Sequence, residues 1–372
     1  MHLSRSIAAV RELSPALVTP LLAVALLACL PSIAAAALGW NGFGVGSWPP
    51  ATWRPYSSPS STTHGSPFNR TVTGIAVHPN SAAIVAKTLS LGTIGNLVAG
   101  NSGTTSDWQH PTYYAQPSDP LFTLTWTGGG PGSTNGMQIR IPDRARAAGG
   151  TDHHMTVVEP DGWEYDFWNV TYKQPGGGVL KYGGGGRTRI DGYGLASGGT
   201  AAGFGNLAGV IREQELAAGH INHALFIVVK CTARNTAFGY GEKLMGSSSY
   251  VYPATHSGSG CPTDSTSLPP MGAHFVLAMT DLQIAALAVP WWKKTILTAL
   301  AHYGGYVGDT GGSGFNFQFE SGSTYTSFSW ADPLVSLSKG LGVPLWENLY
   351  VYNVAGSVDW ARYLRVLVPP AP

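Results

Sequence analysis

The segment Asp152-His-His-Met-Thr-Val-Val-Glu-Pro-Asp-Gly-Trp-Glu-Tyr-Asp-Phe-Trp-Asn169 constrains the fold more than any other part of the chain. It reads as a β-hairpin. Pro160-Asp161-Gly162 fits a three-residue loop, a type I turn closed by a glycine in the left-handed region. That loop pairs Glu159 with Trp163 and sets every later pair: Val158 with Glu164, Thr156 with Asp166, His154 with Trp168. Side chains alternate across a strand. Met155, Val157, Tyr165 and Phe167 therefore form one apolar face, and Asp152, His154, Glu164, Asp166 and Trp168 gather on the other. A two-residue loop at Asp161-Gly162 would place His154 among Tyr165, Phe167 and Asn169, a mixed face that buries less cleanly. Register is fixed wherever one face is buried, so the three-residue loop is expected. Acids, an imidazole and a flat indole on one face predict the wall of a polar ligand cleft.

The rest of the chain points the same way. Only 11% of the 372 residues are charged, while Gly (49), Trp (12) and Tyr (16) are abundant. Charge is usually about 25%, and this scarcity, with no run of Lys and Arg, excludes a nucleic-acid-binding surface. Arg5 and Arg11 precede an apolar run from Ala16 to Leu30 and the small residues Ala34-Ala35-Ala36. Residues 1–36 thus read as a secretory signal peptide cleaved after Ala36. A lipoprotein-type anchor at Cys29, in Leu26-Leu-Ala-Cys29, and a single membrane anchor interrupted by Pro20 and Pro31 are the alternatives. Without residues 1–36 the chain is neutral. The two remaining cysteines, Cys231 and Cys261, suit a disulfide in an oxidising compartment.

Residues 37–70, rich in Trp, Pro, Ser and Gly, read as an arm on the domain or a linker. Residues 71–372 read as one domain. Strands are predicted at Leu121–Trp126, Met137–Ile141, the hairpin, Ala224–Val229, Tyr250–Tyr252, His274–Met279, Asn316–Phe319 and Ser323–Ser329. Two short helices interrupt them, Ala208–Ala218 stopped by Gly219, and Asp281–Tyr303 split at Pro290. Gly176–Gly194, with Gly183-Gly184-Gly185-Gly186, reads as a mobile loop. The expectation is a mainly β chain, a β-sandwich of jelly-roll type with two short peripheral helices.

Familiar catalytic signatures are missing. There is no G-x-S-x-G elbow, Walker loop or dinucleotide fingerprint, and no cofactor is expected. Asp152, Asp166 and Glu215 are the candidate acid, base or nucleophile, because two carboxylates flanking a cleft can cleave a glycosidic bond. His154 and His223 are candidates for orienting groups. Trp168, Glu164, Arg189, Asp191 and His256 are candidate substrate contacts, Trp168 offering a flat face to a sugar ring. His153 is expected to point into the apolar face, and Asp309, before Thr-Gly-Gly, to cap a turn. His220 and His223 invite a metal reading that the helix-ending Gly219 works against.

From Ala76-Val-His-Pro through Tyr303-Gly-Gly-Tyr-Val-Gly-Asp-Thr-Gly-Gly312 the chain resembles a family of secreted bacterial proteins without an assigned activity. The matching segments include Thr151-Asp-His-His-Met-Thr-Val-Val158, Tyr165-Asp-Phe-Trp168, Gly209-Val-Ile-Arg-Glu-Gln-Glu-Leu216 and Tyr252-Pro-Ala-Thr-His-Ser257. More loosely it is similar to jelly-roll glycoside hydrolases and polysaccharide lyases, without the E-x-D-x-x-E motif of laminarinase-like enzymes. The expectation is a secreted enzyme that hydrolyses a polysaccharide or oligosaccharide. Three alternatives stand beside it: a lyase using a histidine and a tyrosine with Arg187 or Arg189 against a uronate, a non-catalytic glycan-binding or cell-surface protein, and a metal-dependent hydrolase.

Overall fold

The hairpin forms in the register its turn requires. Gly162 has φ 85°, its N–H donates to Glu159 O (2.9 Å), and Glu159 N–H donates to Trp163 O (2.8 Å). The pairs are Met155 with Phe167, Thr156 with Asp166, Val157 with Tyr165 and Val158 with Glu164. Met155, Val157, Tyr165 and Phe167 are buried in an apolar cluster with Phe122, Leu124, Ile139 and Leu180.

This is a computed structural model, and it describes residues 48–57, 65–195, 199–263, 265–312 and 314–370, all within one unit, Trp40–Pro372. The segment expected to be a leader, its expected cleavage site and Cys29 lie outside the described residues. The chain is mainly β, 29% strand and 18% helix, in several mixed sheets, one of them curled into a half-barrel.

Five short strands come first: β1 (Thr93–Ile94), β2 (Leu97–Ala99), β3 (Thr112–Tyr114), β4 (Leu121–Trp126) and β5 (Gln138–Arg140). The hairpin strands are β6 (Met155–Val158) and β7 (Trp163–Lys173), followed by β8 (Gly178–Arg189) and β9 (Leu225–Val229). Then come β10 (Lys243–Met245), β11 (Ser248–Tyr250), β12 (His274–Leu277), β13 (Gly305–Thr310) and β14 (Gly314–Phe317). The last are β15 (Leu345–Trp346), β16 (Leu349–Tyr352) and β17 (Leu364–Leu367).

Two six-stranded sheets dominate. One has the order β3-β6-β7-β8-β4-β5, the other β1-β14-β9-β13-β12-β17. Both contain parallel pairs: β3 with β6, β4 with β8, β9 with β13, β1 with β14. A jelly roll joins antiparallel strands through Greek keys, and this mixed pairing does not show that arrangement.

Where two short peripheral helices were expected, the described residues hold seven α-helices: α1 (Ser81–Ser90), α2 (Glu213–Ala218), α3 (Asp281–Ala286), α4 (Trp291–His302), α5 (Ser323–Thr326), α6 (Pro333–Gly340) and α7 (Trp360–Tyr363), and α4 buries Trp292, Ile296 and Leu300 in the larger core. The predicted helix at 208–218 is shortened to α2, which ends where Gly219 turns left-handed (φ 77°) and donates to Glu215 O and Leu216 O. The helical stretch at 281–303 breaks into α3 and α4 at Pro290.

Two local expectations are corrected. The glycine-rich stretch after the hairpin is not a loop but the twelve-residue β8, paired with β7 and β4. Its glycines let a second chain segment lie against the strand: Gly130 N–H donates to Gly183 O (2.9 Å) and Gly185 N–H to Pro131 O (2.8 Å). A Cβ on Gly184 would stand 3.0 Å from Gly130 Cα. Ser323–Ser329 is not a strand either. It begins as α5, because Ser327 Oγ donates to Ser323 O (2.6 Å) and Thr324 Oγ1 to Glu320 Oε1 (3.3 Å). Such short-range hydroxyl bonds draw Ser and Thr runs away from strands.

The arm segment contributes buried aromatics. Trp53, Tyr56 and Phe68 belong to the larger core, and Trp48 packs against Tyr325 and Trp330.

Candidate functional site

The polar face of the hairpin divides into a closed half and an open half. Thr156, Glu164 and Asp166 are covered by the segment around Asn206 and by Tyr56. Glu164 accepts from the Tyr56 hydroxyl and from Leu207 N–H (3.0 Å). Asp166 accepts from Thr156 Oγ1 (2.6 Å) and Asn206 N–H (3.1 Å). Burial raises both carboxyls, Glu164 well above the usual carboxylate range and Asp166 to about 6, against the hydrogen bonds from Thr156 and Asn206. They form a buried polar seam, satisfied as buried groups must be. The expected cleft wall of Glu164 and Asp166 is therefore corrected: neither lines an opening.

The other half opens. Asp152 and Trp168 share an edge because Trp168 Nε1 donates to Asp152 Oδ1 at 3.0 Å. Left-handed backbone at His153 (φ 43°) and Asn169 (φ 55°) accompanies this contact, and Asn169 N–H donates to Asp152 O at 2.7 Å. His153 itself is held by Ala148 O (3.1 Å). His154 places Nε2 3.9 Å from Asp152 Oδ2, and its ring stacks on His110 with centroids 4.0 Å apart. Burial lowers His154 to about 4, outweighing the nearby Asp152, and lowers His110 well below the usual imidazole range. Both rings are therefore neutral at neutral pH.

The partner of Asp152 comes from the other large sheet. Asp309, near the end of β13, sits at a register shift between Val307 and Asp309 in the pairing with β9. Its Oδ1 accepts from Thr310 N–H at 2.6 Å. Burial pushes its carboxyl up to about 7, and the charge of Asp152 adds to this against the Thr310 hydrogen bond. Two carboxyls with unlike environments, one of them poised near neutrality, have the character of an acid–base pair.

These side chains stand where two lobes meet. A lobe of about 390 Å³ is lined by Trp108, Gln109, Asn101, Gln318 and Asn96 among others. A second, of about 420 Å³, is lined by Trp168, Gly129, Gly130, Thr200 and Ser259. Asp152, His154, Asp309 and Thr310 belong to both. The two lobes read as one groove with an indole in each arm and the carboxyls at its middle.

The remaining sequence candidates lie elsewhere. Glu215 is buried on α2, 2.6 Å from Arg212 Nη2 and 3.1 Å from His223 Nε2. Although burial alone would raise it, Arg212 and His223 hold its carboxyl at about 2. Arg212 also donates to Trp53 O (2.8 Å), and His223 Nδ1 lies 2.8 Å from Ala224 O. Glu215 and His223 therefore serve a structural ion-pair cluster and line neither lobe, a correction to both as catalytic candidates. His220 is held by Ala218 O (3.2 Å) and does not join His223. Among the described residues no group of three or more His, Cys, Asp or Glu is arranged to hold a metal.

Arg189 forks onto Asp191 with two 2.8 Å bonds and donates to Asp161 O (2.7 Å). The pair braces the hairpin turn, since Arg189 is opposite Trp163 in the β7–β8 ladder. The five residues from Trp163 to Trp168 put it about 16 Å along the strand from the groove. Arg187 covers the Trp163 ring at 4.2 Å. His256 is engaged with Thr255 Oγ1 (2.9 Å) and lines neither lobe. The expected disulfide Cys231–Cys261 is present.

Sequence reasoning missed Asp309, Trp108 and His110. Asp309 precedes a Thr-Gly-Gly that reads as a turn, and only the parallel pairing of β13 with β9 brings it beside the hairpin. The one available signal was its place after the apolar Tyr306-Val307, at a strand end. Compared with known proteins, the chain matches no family model, no curated protein and no solved structure.

Proposed function

We propose that the chain is a secreted carbohydrate-active enzyme that hydrolyses a glycosidic bond. The observation that carries this is that Asp152, from the turn leading into the hairpin, and Asp309, from the other large sheet, both line the middle of a groove with an exposed or half-buried indole in each arm. Indoles suit the faces of sugar rings, and an open groove suits a chain. Secretion belongs to the same proposal, supported by the leader-like segment 1–36 and the Cys231–Cys261 disulfide.

In this reading Asp309, protonated near neutral pH, donates its proton to the departing glycosidic oxygen. Asp152 is the carboxylate. It attacks the anomeric carbon or takes a proton from an attacking water, and the spacing of the two groups in the substrate complex decides which. Trp168 Nε1 fixes Oδ1 of Asp152, leaving Oδ2 toward His154. The neutral His154–His110 stack positions that edge without cancelling its charge.

The test is release of new reducing ends from a panel of polysaccharides by wild type, Asp152→Asn and Asp309→Asn, each checked for folding by near-ultraviolet circular dichroism. Wild type should release product, and each folded variant should be slower by about 10²–10⁴-fold. A folded variant that keeps the wild-type rate would remove its residue from the mechanism. Binding without product from any substrate would favour a non-catalytic glycan-binding protein.

A further inference from the structure

Asp152 and His154 lead into β6, and the order β3-β6-β7-β8 fixes what lies on either flank of them. On one flank is the run into β3. Thr112 pairs with Thr156 in the parallel β3–β6 ladder, so His110 falls beside His154, where the two rings stack, and Trp108 falls beside Asp152. On the other flank are Trp168 of β7 and its partner Gly184 of β8. Trp108 lines one lobe, and Trp168 and Gly184 line the other. The lobes therefore leave the carboxyls in opposite directions.

The second large sheet agrees. Asp309 is level with Val228 of β9, and Val228 with Asn316 of β14. Both neighbours line the Trp108 lobe. This flank joins the run into β3, because Gln318 Nε2 donates to Trp108 O (3.0 Å) and His110 bridges Glu320. Two strand spacings separate Asp309 from Asn316, and two separate His154 from Gly184, so each arm reaches about 10 Å from the middle. That is longer than one sugar ring. Past Asn316 lies the exposed Asn96, and past Gly184 lie the exposed Gly129 and Pro131. A chain can continue out of both ends, whereas a site that trims chain ends is closed on one side beyond the first sugars.

We infer that a polysaccharide lies along the whole groove, held on both sides of the carboxyl pair, and is cut at internal bonds rather than trimmed from an end. This rests on the hydrolase reading of the site and adds which bonds are cut.

The full chain is screened on soluble β-glucan, xylan, galactomannan and pectate, with viscosity followed against new reducing ends. On a polymer that is cleaved, viscosity should collapse while few bonds are cut, and the first products should be a ladder of oligosaccharides. Trp108→Ala, at a 49% exposed site, strips a ring contact from one arm, and Pro131→Trp obstructs the outer end of the other. Both are checked for folding by near-ultraviolet circular dichroism. On an end-labelled oligosaccharide of the cleaved polymer, the two folded variants should shift the cut in opposite directions. A single small product released while viscosity persists overturns the inference and leaves the hydrolase standing. Internal cuts that both variants shift the same way, or not at all, also overturn it. No product from any of the polymers overturns the hydrolase and the internal cut together.

Discussion

Asp309 and Glu215 show how residues of one type are set to opposite tasks. At Asp309, burial and the neighbouring Asp152 favour the protonated form. At Glu215, Arg212 and His223, both hydrogen-bonded to its carboxylate, outweigh burial and favour the ionised form. Their contributions to stability therefore have opposite slopes. The folded state keeps a proton on Asp309 between its ordinary 3.8 and about 7, while the unfolded chain has released it. The native state binds more protons there, so this contribution is full below 3.8 and is lost as pH rises through about 7. Asp309→Asn removes that loss, and its melting temperature should equal or exceed that of wild type at pH 8. A variant clearly less stable than wild type at that pH would show that the Asp309 carboxyl holds the fold together. For Glu215 the contribution is present above 4.5 and is lost as pH falls toward about 2.

Glu215→Gln leaves Arg212 buried without its charge partner, which costs about 3–5 kcal/mol in comparable sites. Denaturant unfolding should register that loss, while the specific activity of the folded fraction stays near wild type. Normal stability with abolished turnover would return Glu215 to the catalytic machinery. Asp152, His154 and Trp168 were legible in the sequence because turn chemistry fixes strand register, and register fixes faces. Glu164 and Asp166 were legible as members of that face. What covers them was not, because Tyr56, Asn206 and Leu207 arrive from distant segments.

Among the elements, β8 departs furthest from its sequence. Glycine has low strand propensity and a run of four reads as loop. Here the missing side chains are what the packing needs, since a Cβ on Gly185 would lie 2.7 Å from Asp166 O. Gly185→Ala should cost about 1–3 kcal/mol through forced backbone displacement, seen as a lower melting temperature. Gly340→Ala is the control, with no atom within 4 Å of its Cβ and a better helix former at the end of α6. Equal melting temperatures for the two variants would mean that β8 does not press on its neighbours as described. Two helix boundaries were easier to read, because Gly219 and Pro290 act through the local backbone and set the end of α2 and the break between α3 and α4; α1, α5, α6 and α7 were not foreseen.

For the whole molecule, composition foretold a mainly β chain because Gly, Thr and aromatics favour strands and turns locally. Sheet order is a different matter. Parallel pairs such as β9 with β13 join segments about 80 residues apart in the chain, and no local pattern specifies that. The groove depends on this pairing, since it brings Asp309 from one sheet to Asp152 at the edge of the other. The disulfide adds to the same region, because Cys261 follows Gly258 and Ser259, which line the second lobe. A site assembled from two sheets is only half visible in any one segment. The most direct measurement is the pH dependence of kcat/KM on a cleaved glycan for wild type and Asp309→Asn, the variant assayed also on an aryl glycoside whose leaving group needs no proton. Wild-type kcat/KM should fall as pH rises through about 7, and this limb should be absent from Asp309→Asn on the activated substrate. The same limb persisting in the variant would contradict Asp309 as the acid paired with Asp152.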